Sequence, residues 1–398
     1  MKNELVQQAI TDHAKPIKIP YPILIWLFAS GTIFMMVLPF VVGVMTDQLG
    51  FSEADSGRVV MFGMLGLFIV KIVATLSVHK WNLRICICFA LSIMALSEIL
   101  MAFTTTLKMM NMLRFMSGLA VGTLLASLMA YISGFKYSDS IFGITFAGKF
   151  TIGAIALFTF PYLIKFAGAK GVFLCLGFMP ILGLFLMPWF LKKDPRAEAE
   201  HINIPTWSLL SNIKSSLVFL CVALVLLFIA NSALWTYYEL IGTKSGIPLE
   251  RIGLGLSLSM IGGLLGGSLA AWVGTKLIRT VSIALGLVAM AGSVALIIFH
   301  INILTYSVSM LIFTIGFSFI LPFVFGAASE SDHSGRLLAF MAILSTLGSL
   351  LGPALASFSV GRDSYMVLML GVIGFLILSL FFVLLSKPGL FQSRLKTA

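Results

Sequence analysis

The sequence predicts an all-α membrane protein whose twelve transmembrane helices form two pseudo-symmetric six-helix bundles. Three observations carry that prediction: the composition, the number of apolar windows and a spacing shared by the two halves. Of 398 residues, 59% are hydrophobic and 10% charged, with a mean hydropathy of +1.07. A water-soluble chain carries about 25% charged residues, so this one lacks the polar side chains to cover a surface facing water. A spanning helix needs about 20 apolar residues, and twelve of them use about 33 residues each with their connections, which excludes a large soluble domain.

The elements follow in order. Residues 1–20 are polar and contain Lys2, Lys15 and Lys18, a cytoplasmic N-terminal segment. The apolar run from Tyr21 to Met45 is longer than that of a cleaved signal peptide, and more spans follow it, so it reads as a retained first helix. Windows near 57–77, 85–105, 109–133, 140–164 and 168–190 complete an N-terminal bundle over 21–190. Residues 191–214 are the longest connection, include Lys192, Lys193, Asp194, Pro195 and Arg196, and read as a cytoplasmic loop between bundles. Windows near 215–239, 252–274, 281–299, 302–326, 337–360 and 364–386 form a C-terminal bundle over 215–386, and 387–398 is a cytoplasmic tail. Turn residues mark most boundaries, as at Asp47 to Ser52, Asn82, Ser138 to Ser140, Gly168 to Gly171 and Gly361 to Asp363.

Loop charge gives orientation. The side holding both termini carries about 16 Lys and Arg against about 7 opposite, which places both termini in the cytoplasm of a cell (inner or plasma) membrane. The net charge of +11 is spread among apolar helices and makes no stripe for nucleic acid. Gly57 and Gly253, Gly66 and Gly262, and Lys80 and Lys276 share an offset of 196 residues, the mark of a parallel repeat.

Local motifs point the same way. Arg114-Phe-Met-Ser-Gly118-Leu-Ala-Val-Gly122 in the fourth window and Gly348-Ser-Leu-Leu-Gly352-Pro353 in the eleventh are similar to stretches of the major facilitator superfamily, which the whole chain resembles. The loop from Thr75 to Arg84 keeps that family's basic positions without its acidic one. Phe160-Pro161 stands where drug/proton antiporters carry glycine-proline, which favours uptake over efflux. The resemblance implies a rocker-switch carrier with a mid-membrane cavity lined chiefly by the first, fourth, fifth, seventh, tenth and eleventh spans.

An ionisable side chain in hydrocarbon costs about 2.5–3.5 kcal/mol on insertion scales, so each is expected to face the cavity, pair or snorkel. Lys149 sits near the centre of the fifth window, about 15 Å from either end, too deep for its stem to reach an interface. Thr145, Lys149 and Gly153 share one face. Lys149 and Thr145 are therefore substrate-binding candidates, with an ion pair to a neighbouring helix as the alternative for Lys149. Arg114 suits bidentate contact with a carboxylate or phosphate; pairing with Glu98 or snorkelling competes. Lys71, about six residues from the inner end of its window, reads as snorkelling.

Asn231, Trp235 and Tyr238 fall at i, i+4 and i+7 of the seventh window, with Ser232 and Glu239 on the adjacent ridge. That face offers an amide, an aromatic plate and a carboxylate to a cavity, unless it belongs to an interfacial aromatic belt. Proton coupling needs a group that titrates within reach of neutrality. The first window has no carboxylate, so Glu98 and Glu239 are the candidates, with Glu330 and Asp332 in an inner loop. Thr314 and Ser318, and Ser30 and Thr32, read as hydroxyls bonding their own helices. Pro39, Pro161, Pro322 and Pro353 read as kinks.

No phosphate loop, metal spacing or nucleophile elbow is present, so neither an enzyme nor a primary pump is expected, and no cofactor or metal. Cys86, Cys88, Cys175 and Cys221 lie in apolar runs without paired spacing. The expected function is proton-coupled uptake of a small organic anion or zwitterion by a monomer. Proton-driven efflux of drugs or metabolites is the alternative, and a non-transporting membrane sensor the second.

Overall fold

The computed structural model describes residues 20–135, 138–190, 215–274, 276–331, 336–360 and 365–386. The polar segment up to residue 19, the inter-bundle loop 191–214, the tail 387–398, Lys136, Asp332 and the turn at Gly361 to Asp363 lie outside the described residues. Helices α1 (Tyr21–Met36) and α2 (Leu38–Asp47) form the first span, bent by 48° between them. The second to fourth are α3 (Glu53–Ser77), α4 (Leu83–Met101) and α5 (Leu107–Ser133). The fifth and sixth share α6 (Ser138–Phe190). The seventh to twelfth are α7 (Ser215–Lys244), α8 (Leu249–Val273), α9 (Arg279–Phe299), α10 (Ile303–Ser331), α11 (Arg336–Ser357) and α12 (Met366–Leu385).

Helix α6 must be two spans. Its 53 residues would reach about 80 Å if straight, against a hydrocarbon core of about 30 Å. Gly168 breaks it at φ 59° and ψ −158°, a conformation that only glycine adopts without strain. The two limbs run back along the first span: Gly148 packs on Ile25, Gly183 on Leu27, and Trp26 Nε1 donates to the Met179 carbonyl at 3.0 Å. Gln48, at the opposite end of that span, accepts the Ala169 N–H at 2.7 Å beside the turn. Twelve crossings put Tyr21, where α1 begins, and Leu385, where α12 ends, on one face, here the terminal face; the other is the far face.

The halves repeat each other in packing. Helix α3 lies on α5 as α8 lies on α10, and α7 packs on α11 and α12 as α1 packs on α6. The repeat glycines explain the first pair. A Cβ on Gly66 would meet the Phe115 carbonyl at 2.5 Å, and one on Gly262 the Leu311 carbonyl at 2.9 Å, so equivalent helices touch backbone to backbone at equivalent points. The halves meet through α3 with α11, α6 with α8, and α2 with α7.

Two prolines supply acceptors at this junction. Proline has no N–H, so the carbonyl four residues earlier loses its helical partner. Pro39 frees the Met35 carbonyl, which takes Trp235 Nε1 from α7 at 2.7 Å. Pro353 frees the Ser349 carbonyl, which takes Ser232 Oγ from α7 at 2.9 Å. The kink near Pro39 and the seventh-span polar face are thus one construction.

Candidate functional site

A cavity of about 330 Å³ lies between the halves. Its wall comes from Met35 of α1, Lys71 of α3, Lys149 and Phe150 of α6, Asn231 and Trp235 of α7, Met260 of α8, Thr314 and Ser318 of α10, and Thr346 of α11, among others. The sequence expectation needs one correction: the fourth span contributes nothing to this wall, while α3 and α8 do. Gly63 and Gly118 let α3 and α5 close up until their backbones touch, which tucks the fourth span behind the second.

The cavity is closed towards one face. On α8, Gly253 is jammed against Pro161, Met260 lines the cavity, and Gly267 one stripe further has nothing near it. On α6, Leu157 is buried, Phe150 lines the cavity and Gly143 is open. Both stripes read packed, lining, open in the same direction, so the halves seal at the far face and part towards the terminal face.

Two ammonium groups share the cavity. Lys149 Nζ lies 4.0 Å from the Phe146 ring centroid and 5.1 Å from that of Phe150. These are cation–π contacts, which hold the ammonium without neutralising its charge. Among the described residues it has no carboxylate partner. Lys71 Nζ donates to Thr346 Oγ1 at 2.5 Å, reaching across to α11. This corrects the snorkelling expectation: the side chain turns inwards to the cavity because a hydroxyl of the other half meets it there. Among the described residues no Asp or Glu lines the cavity.

The other expected residues are placed as follows. Asn231 and Trp235 line the cavity. Arg114 does not: it is 3% exposed, donates to Glu98 Oε1 at 2.7 Å and stacks 3.2 Å from the Phe34 centroid, beside a separate void of about 20 Å³. Glu98 also accepts from Ser117 Oγ at 3.2 Å. Tyr238 is fully buried between α7 and α10, where its hydroxyl donates to the Tyr306 carbonyl and the Tyr306 hydroxyl to the Tyr238 carbonyl, each at 2.8 Å. Thr145 is buried behind the wall and its Oγ1 finds no partner among the described residues. Thr314 bonds its own helix at the Met310 carbonyl and lines the cavity as well.

Glu239 sits in the seam between α7 and α2, 2% exposed. Thr243 Oγ1 donates to its Oε1 at 2.6 Å, while Oε2 has no partner among the described residues. Gly43 makes room for it, since any Cβ there would collide with the carboxylate. Around this seam stand groups that the sequence left as loop charges. Lys244 of α7 pairs with Glu53 of α3, and Lys165 of α6 with Glu250 of α8. Tyr237 donates to the Glu53 carbonyl at 3.1 Å, and Ser257 to the Ala154 carbonyl at 2.8 Å. All four contacts cross between halves. Partners 85 and 191 residues apart leave no periodic signal in a sequence.

The sequence profile of the Major Facilitator Superfamily matches residues 23–353. Among solved structures, the nucleoside transporter NupG aligns with a TM-score of 0.75 at 15% identity, and an aspartate-to-alanine variant of it with 0.75 at 14%. Each alignment covers 92% of this chain and 98% of the other. No curated protein matches the sequence.

Proposed function

The chain belongs to the major facilitator superfamily, a family of membrane transporters, and on that premise we propose that its cargo is a small organic anion or zwitterion held by Lys149. One observation supports this most. Among the described residues, the cavity between the halves carries two lysines and no carboxylate. A charge in such a place is expensive unless something compensates it, and a visiting anion does so. The same field draws anions into the cavity from solution.

In this reading the rings of Phe146 and Phe150 hold the Lys149 ammonium in place, and its N–H donors take the anionic group. Asn231 and the Trp235 plate bound the rest of the cargo. Thr145 and Tyr238 support the wall from behind, and Arg114 keeps the fourth span packed through Glu98. With the termini in the cytoplasm of the cell membrane, the structure is the inward-facing state, and opening the far-face seam admits cargo from outside.

The coupling ion is a proton, and Glu239 carries it. Each carboxylate keeps one oxygen without a donor among the described residues, but Glu98 is paired with the Arg114 guanidinium, whereas Glu239 has no cation partner among the described residues and sits in the seam that has to open. Asp47 of α2 is the charged group that bears on it among the described residues, Lys244 of α7 and Glu53 of α3 bear on Asp47 in turn, and the Tyr306 and Tyr365 hydroxyls lie within its field. Glu239→Gln is expected to abolish accumulation driven by a proton gradient in proteoliposomes while leaving counterflow exchange intact. Loss of neither or of both would remove Glu239 from the role.

The central test is a thermal-shift screen of the purified protein against carboxylates, phosphate and sulfate esters, nucleosides and sugars, with counterflow as the transport assay. Anions are expected to stabilise the native protein, and Lys149→Met to remove that effect. Undiminished anion binding by folded Lys149→Met refutes the assignment. A second reading, a neutral nucleoside, is favoured by the aromatic wall of Trp235, Phe228 and Phe317 beside the Asn231 amide and by what the structural neighbours carry; there nucleosides stabilise both proteins equally. Accumulation in whole cells is expected, and accumulation in inverted vesicles alone marks efflux. Binding without any counterflow marks a sensor.

A further inference from the structure

We infer that the preferred cargo is a dianion and that Lys71 is its second anchor, an inference that rests on the anionic reading above. Lys71 and Lys149 line one cavity, yet among the described residues neither has a carboxylate partner. The partner of Lys71 is the Thr346 hydroxyl, which in turn donates to the Ala342 carbonyl at 3.0 Å. The partners of Lys149 are aromatic faces. A monoanion would cancel one of these charges and leave the other buried beside it, whereas two negative charges satisfy both.

Their depths fix the shape of the ligand. Lys71 lies six residues before Ser77, the terminal-face end of α3, and Lys149 eleven residues after Ser138, where α6 begins at that face. At 1.5 Å per residue their backbones are about 9 Å and about 16 Å deep. Each stem leans towards the start of its own helix, Lys71 deeper and Lys149 back towards the terminal face, and Lys71 Nζ meets Thr346, ten residues after α11 begins at that face, so the two ammonium groups converge on a similar depth. A dicarboxylate with a short spacer meets both at its two ends, and a phosphate monoester meets both through separate oxygens of one group. Either ligand recruits Lys71 away from Thr346, so filling the site releases a hydrogen bond that ties α3 to α11.

The test uses isosteric pairs that differ by one charge, glutarate with glutaramate and phenyl phosphate with phenyl sulfate, at pH 8 on the full chain in neutral-lipid nanodiscs. The dianion of at least one pair is expected to bind about ten- to hundredfold more tightly, the worth of one charge-assisted hydrogen bond. Which pair responds tells carboxylate from phosphate. Lys71→Met is expected to bring that pair to parity without weakening the monoanion, while Lys71→Arg and Thr346→Val keep the preference. Parity in both pairs for the native protein, or a preference that survives Lys71→Met, overturns the inference. The native comparison decides even if Lys71→Met fails to fold. Monoanions that bind through Lys149 with no dianion preference sink this inference alone. Failure of every anion, with nucleosides binding, sinks the anionic reading and this inference together.

Discussion

The central cavity and the far-face seam are built from the same helices, α3, α6, α7 and α8, and they treat lysine in opposite ways. In the seam each lysine meets a carboxylate of the other half, Lys244 with Glu53 and Lys165 with Glu250. In the cavity Lys71 meets a hydroxyl and Lys149 meets two rings. The difference separates two uses of charge. A lysine paired across the halves holds them together, and no ligand is needed to complete it. A lysine left uncompensated in the wall of a cavity is completed only when something negative arrives.

The largest expected effect breaks the comparison in one step. Lys149→Met should weaken anion binding about hundredfold or more, since removing one partner of a desolvated charge pair costs on that scale. Lys165→Met, on the same helix and only a few turns away, should leave binding to the open cavity unchanged. Isothermal titration of both variants checks this. If the two lose affinity equally, the distinction between cavity and seam charges is wrong.

Arg114 sharpens the comparison from a third place, because it is a buried cation paired within one half. Arg114→Leu leaves Glu98 buried without its partner, and breaking such a pair costs about 3–5 kcal/mol of stability. Denaturation in detergent should show that loss, while the folded fraction keeps its affinity for cargo. A folded Arg114→Leu protein with native stability and lost binding would place Arg114 at the cargo after all.

Much of the architecture was legible in the sequence because each part leaves a local trace. Twelve apolar windows recur as helices, Gly168 turns the chain between the fifth and sixth, and the 196-residue offset survives in the packing, where Gly66 and Gly262 do the same work. Lys149 was legible for the same reason, since depth in a helix can be counted. Lys71 was not. Its depth allowed snorkelling, and what turns it inwards is Thr346, 275 residues away. The face of the seventh span divided likewise: Asn231 and Trp235 reach the cavity, but the next turn passes behind α10, where Tyr238 locks to Tyr306. Helical spacing says which residues share a face but not where along the axis that face leaves the cavity for the seam.

The smallest expected effect concerns the seam itself and its symmetry. Glu53 and Glu250 both stand in the first turn of their helices, α3 and α8, which are images of each other in the two halves. Each receives a lysine from the opposite half, Glu53 from the seventh span and Glu250 from the fifth, so the seam has two clasps of like chemistry on acceptors that are images of each other. The lysines are more than half exposed, and exposed pairs are weak and screened by salt. Lys244→Met should therefore shift the balance towards far-face opening by only about two- to fivefold, read as faster hydrogen exchange over residues 249–257. Lys165→Met should do the same, the double variant should combine the two shifts, and high salt should erase the difference from native protein. A clasp whose loss exceeds the other's by an order of magnitude, or persists in high salt, would mean that one half governs the seam, and the pseudo-symmetry would then describe the packing of the halves but not the energetics of their opening.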